Sequence, residues 1–124
     1  MKPQTRHLDS EREFYTEERC HIIELNNSAD DPQCSIARAR VEPGVTTCWH
    51  CLSETAERYV IISGEGRVEI GETPAESVKA GDLVIIPPMV PQRITNTGSE
   101  DLIFYAICTP RFLPENYQPL ESAE

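Results

Sequence analysis

Gly44-Val45-Thr46-Thr47-Cys48-Trp49-His50-Cys51-Leu52-Ser53-Glu54-Thr55-Ala56-Glu57-Arg58-Tyr59-Val60-Ile61-Ile62-Ser63-Gly64 is the stretch that decides the fold. Two β-type runs, Thr46–Leu52 and Arg58–Ile62, flank a polar turn. A glycine stands at each end, where the chain must reverse. Outward from this stretch the same pattern repeats. Short apolar runs are predicted as strands at Cys20–Leu25, Ser35–Val41, Gly66–Ile70, Glu76–Val78, Leu83–Ile86, Gln92–Thr95 and Leu102–Cys108. The breaks between them are turn formers. Asn26–Pro32 ends the first run, Ser63-Gly64-Glu65-Gly66 links two paired strands, and Pro87-Pro88 and Pro91 cannot donate to a ladder. Helical periodicity is confined to Asp9–Arg19, where Asp9 or Ser10 can cap a short polar turn. The reading is all-β: an antiparallel barrel or sandwich at 20–111, a short irregular N-terminal arm at 1–19 and an extended tail at 112–124.

Side chains alternate across a strand. Thr46, Cys48, His50 and Leu52 are therefore expected on one face, and Thr47, Trp49 and Cys51 on the other. Glu57 opens the returning strand and can point back at His50. Gly81, five residues, Pro87, then Gln92, three intervening residues and Asn96, form a second spaced set. If the sheet closes, Gln92 comes onto the lumen that holds His50 and Glu57, and one concave pocket results.

These two spaced sets resemble the two signature motifs of the cupin superfamily, small jelly-roll β-barrels that often hold a divalent metal. The resemblance covers roughly Ser35–Arg111. It also extends to small single-domain cupins with a Trp-His pair and an Ile107–Phe112 ending, loosely described as phosphomannose isomerase-like. In cupins the first motif supplies two His and a Glu, and the second supplies a third His. The resemblance thus implies that His50 and Glu57 are metal ligands, that Leu52 stands at the second His position and that Gln92 stands at the third. Met89 stands where the family often has Gly. An imidazole nitrogen, a carboxylate and an amide oxygen make a mixed set that tolerates Mn, Fe, Ni, Co or Zn without selecting among them. The competing reading is a lumen in which these groups only hydrogen-bond to one another.

Other residues bear on that choice. An ionised Glu57 inside a barrel needs a partner, either a metal or an Arg. Arg38 and Arg40 share one face of their strand, opposite Ala37, Ala39 and Val41. If that face is inward, they satisfy Glu57 or hold an anion; if outward, they are solvated. Cys48, two residues before His50, either adds a soft ligand or packs as a small hydrophobe. Tyr59 is a further lumen candidate, as is Tyr105. Cys48 and Cys51 have C-x-x-C spacing, but on a strand they point to opposite faces, which argues against a redox pair.

The 124-residue chain carries a formal charge of -10, which disfavours nucleic acid as a partner. More than half of its acids lie in residues 1–31 and after Arg111. No run reaches the roughly 18 apolar residues of a membrane helix. Five cysteines at irregular spacing fit reduced thiols and a cytoplasmic setting. Trp49 on an outer face and an apolar tail point to a homodimer. The function expected is a cupin barrel acting on a small polar molecule through a lumenal divalent metal, with Glu57 moving a proton in isomerase- or lyase-like chemistry. The alternative is a non-catalytic small-molecule or metal-binding module, or a dimer with a sealed lumen.

Overall fold

Period-two alternation sorts the strands into two facing antiparallel sheets. A computed structural model describes residues 1–121. In chain order the strands are β1 (Phe14–Tyr15), β2 (His21–Asn26), β3 (Ser35–Val41), β4 (His50–Leu52), β5 (Ala56–Ser63), β6 (Glu65–Ile70), β7 (Glu76–Lys79), β8 (Leu83–Ile86), β9 (Gln92–Asn96), β10 (Leu102–Thr109) and β11 (Tyr117–Pro119). One sheet runs β1-β2-β3-β10-β5-β8 and the other β11-β4-β9-β6-β7. From β3 onward the chain crosses between the sheets at every step except the β6–β7 hairpin, so the two roll into a jelly-roll barrel.

The register of the larger sheet shows why one end of the barrel is filled and the other open. Val41 faces Leu102 across β3 and β10, and Ala39, Phe104 and Ile61 form the next inward row. Below them come Ala37, Ala106, Tyr59 and Val84, then Ser35, Cys108, Glu57 and Ile86. Val41, Ile61, Ile94 and Leu102 are fully buried and close one end. Alanines at 37 and 106 are too short to meet across the barrel, so the other end retains a cavity of about 450 Å³.

The structure alters two sequence expectations and gives the extended tail a partner strand. The helical periodicity at Asp9–Arg19 yields only a single 3-10 turn, Ser10–Arg12, capped by the Asp9 side chain. The chain then extends into β1 and pairs with β2. The expected run Thr46–Leu52 is regular only at His50–Leu52. The amide of Thr47 bonds Ile94 O, whereas that of Cys48 bonds Glu18 O in the N-terminal arm. Two partners on opposite sides break the pleat, so Thr47 turns inward and Cys48 does not. The C-terminal tail forms β11 on the free edge of β4 of its own barrel. That covers an edge otherwise open to a second chain.

Asn96 stabilises the turn after its strand. Its amide donates to Val41 O and Glu100 O, and its carbonyl accepts from Gly98 N. Among the described residues no helix is long and apolar enough to cross a membrane.

Candidate functional site

The cavity is walled by residues of β2, β3, β4, β5 and β10, with Thr16, Glu17 and Glu18 from the N-terminal arm and Phe112, Pro114 and Tyr117 from the tail. His50 and Gln92 are cross-strand partners on β4 and β9. The Gln92 carboxamide lies against the carboxyl of Glu57 and draws its pKa down against a larger opposing effect. The geometry therefore brings His50, Glu57 and Gln92 together.

His50 Nδ1 lies 2.7 Å from Cys48 O. A carbonyl only accepts, so Nδ1 carries the hydrogen and Nε2 holds the lone pair in the neutral ring. Nε2 makes no hydrogen bond among the described residues. The ring stacks on Tyr117 at 4.9 Å between centroids, which fixes its plane. Glu57 sits deep in the barrel and borders only the cavity. Burial, with repulsion from Glu18, raises its pKa from 4.5 to about 7. Its Oε1 has no hydrogen-bond partner, and Cys108 Sγ stands 3.8 Å from Oε2. Tyr59 donates its hydroxyl to Gln92 Oε1.

Glu18 is the residue that sequence reasoning missed. It enters from the N-terminal arm, lines the cavity and places Oε2 3.6 Å from His50 Nδ1. Burial also raises its pKa, against smaller lowering effects from His50 and a bond to Tyr117. Local conformation explains its inward aim. Arg19 adopts φ +68, and its Nε donates to Thr46 O at 2.8 Å. Arg19 is thereby pinned outside, and the preceding side chain turns in. In the sequence Thr16-Glu17-Glu18-Arg19-Cys20 reads as a solvated acidic arm, and no spacing marks Glu18 out. Tyr117 was hidden in the same way within an apolar tail.

Three candidate pocket members lie elsewhere. Arg38 and Arg40 face outward: Arg40 pairs with Glu13 and Asp101, and Arg38 lies 3.6 Å from Glu13. The inward face of β3 holds Ala37 and Ala39 instead, because the strand's alternation admits only one set. Cys48 is partly exposed, and its Sγ donates to Glu17 O, a consequence of the broken pleat. Leu52 does line the cavity, as an apolar wall. Tyr105 faces outward opposite Val60 and Arg38. All five cysteines are free thiols.

Metal binding can be tested against this donor set. Among the described residues no three His, Cys, Asp or Glu side chains are placed to hold an ion. Gln92 spends its carbonyl oxygen on Tyr59 and turns its NH2, which cannot ligate, toward the interior. Two donors remain, His50 Nε2 and Glu57, and Glu57 is half protonated near neutrality. As arranged, the set does not fit a tightly held divalent ion.

A closed antiparallel barrel with a cavity at one end defines a class, and comparison with known proteins agrees. The cupin-domain family model matches residues 37–108, and the chain belongs to that family. Many cupins bind a divalent metal. The chain is 33% identical over 87 residues to the uncharacterized protein MJ1618 of Methanocaldococcus jannaschii, covering 70% of this chain and 69% of that one. A conserved double-stranded β-helix protein from Klebsiella pneumoniae superposes with a TM-score of 0.77 at 19% identity, over 96% of this chain and all of the other. Pac13, a nucleoside dehydratase from Streptomyces, gives 0.78 at 15% identity over 99% and 95% of the two chains. KdgF from Halomonas gives 0.75 at 14% identity over 87% and 96%. At these identities the structural likenesses establish the fold alone.

Proposed function

We propose that this cupin is an enzyme of the lyase or isomerase type that acts on a small molecule in its lumen by general acid–base chemistry. The observation that carries the reading is the pairing of His50 and Glu57. One presents a lone pair at Nε2, and the other retains a proton up to about pH 7. Two groups with opposite tasks in one apolar cavity are what proton transfer requires.

For a dehydration, His50 Nε2 removes a proton from carbon. The electron pair forms a carbon–carbon double bond, and the neighbouring hydroxyl departs with the Glu57 proton as water. The imidazolium then returns its proton through solvent to the Glu57 carboxylate. For an isomerisation, the proton returns to an adjacent atom instead. Tyr59 bonds Gln92, whose carboxamide lies beside Glu57. The fold-level likeness to a nucleoside dehydratase is consistent with the first case. The phosphomannose isomerase-like label gains no support from the site. Among the described residues no Lys or Arg lines the cavity to hold a phosphate.

The test is a screen of small hydroxy compounds by mass spectrometry, reading loss of one water or appearance of an isomer. Turnover is expected in the wild type, persisting after chelation. It should disappear in His50→Ala. Turnover that needs an added divalent ion would replace this reading with the metal-dependent one, in which Mn, Fe, Ni, Co and Zn are the ions to compare. Binding without turnover would favour a non-catalytic module.

We also infer a homodimer in a reducing, cytoplasmic setting. Trp49 does not carry that inference, because it stacks under Arg93 of its own chain at 5.1 Å. Ile62, Leu83 and Ile85, exposed on the outer face of β5 and β8, make a better contact. Light scattering at micromolar concentration should give twice the chain mass; a monomer refutes the inference.

A further inference from the structure

We propose that the cavity selects a cation: its ligand is a small molecule with an apolar body and a protonated nitrogen, for which Glu18 is the counter-ion. The inference deepens the preceding function and rests on it for treating the cavity as the ligand site.

The observations concern charge and where it is absent. The cavity is lined by Glu17, Glu18, Glu24 and Glu57, and among the described residues no Lys or Arg lines it. The basic side chains around the barrel are engaged outside. Arg40 pairs with Glu13 and Asp101, Arg93 with Glu69, and Arg19 with Glu121. Arg58 bonds Thr109, and Arg111 bonds Asn27. His50 does not neutralise Glu18 by a hydrogen bond. Its Nδ1 hydrogen goes to Cys48 O, and the 3.6 Å to Glu18 is too long for a second bond. Glu57 Oε1, fully enclosed, has no partner.

A buried carboxyl without a cation is an unmet demand. Here two stand close enough to repel, which is why Glu18 contributes to raising the Glu57 pKa. A ligand ammonium near Glu18 meets the demand, and an anion adds to the repulsion. With the cation on Glu18, Glu57 remains the proton donor. The apolar body has its own place among Phe14, Ile22, Ala37, Phe104 and Phe112. The chain's formal charge of -10 favours the approach of cations over anions.

The test uses three probes of one shape: benzylamine, benzyl alcohol and benzoate, titrated into the full chain at neutral pH and followed by NMR shifts. Benzylamine should bind about tenfold more tightly than benzyl alcohol or better, and benzoate weakest. In Glu18→Gln the preference for the amine should collapse to within about threefold, and in Glu18→Asp it should largely return. Glu57→Gln, which stops turnover, should keep the preference, so the two readings fail separately. Benzoate binding as well as benzylamine, no binding of benzylamine, or an unchanged preference in Glu18→Gln would each overturn the proposal. If the variants do not fold, the order of the three probes on the wild type decides.

Discussion

Glu57→Gln should give a protein that is more stable than the wild type above neutral pH and catalytically dead. The native carboxyl keeps its proton to about pH 7, whereas in the unfolded chain it is lost near 4.5. Between those values the folded state binds more protons, so stability falls as pH rises. The contribution is complete below the unfolded value and is lost as pH passes through the folded one. The shift corresponds to about 3 kcal/mol. Glu18, raised by its own burial, acts in the same direction. Glutamine copies the neutral acid and never ionises. The variant should therefore lose much of the pH dependence and melt roughly 10 °C above the wild type at about pH 8, with little difference at about pH 5. Turnover should drop ~10²–10⁴-fold with the donor gone. Thermal melts at the two pH values and the dehydration assay check both halves. Equal melting of the two proteins at high pH would show that Glu57 is not buried as described.

Gly64→Ala should destabilise the fold by about 3 kcal/mol, with no change in the cavity. Gly64 has φ +87, a region L-residues avoid. A Cβ there would also stand 2.7 Å from Asp101 O and 2.9 Å from Leu102 Cα. Both are backbone atoms at the filled end of the barrel, and neither can move without displacing Leu102 from the core. Gly81→Ala is the control. Its φ is +96 but a Cβ meets nothing within 4 Å, so only the conformational penalty of about 1–2 kcal/mol applies. Urea unfolding midpoints measure the contrast, and equal losses would remove the steric argument.

The sequence carried the barrel because regular alternation and turn residues are local signals. Gly64 occupies the tight junction, and Pro87-Pro88 the loop after β8. Alternation also predicts the inward sets on β5 and β9, hence Glu57, Tyr59 and Gln92. It fails at Thr47–Trp49, where bonds to two different partners override the pleat and send Cys48 out. It leaves Arg38 and Arg40 undecided, since period two fixes that they share a face and not which face is inside. Glu18 and Tyr117 were beyond its reach. Each depends on a terminal segment folding back over the barrel, and that path follows from long-range bonds such as Cys48 N to Glu18 O and Leu120 N to Trp49 O.

Both terminal segments line the same cavity, and an ion pair between Arg19 and Glu121 ties the two together. Relatives can therefore diverge in what they accept by exchanging short terminal stretches while the interior rows stay intact. By the same reasoning, ligand preferences are best measured on a chain that keeps both terminal segments.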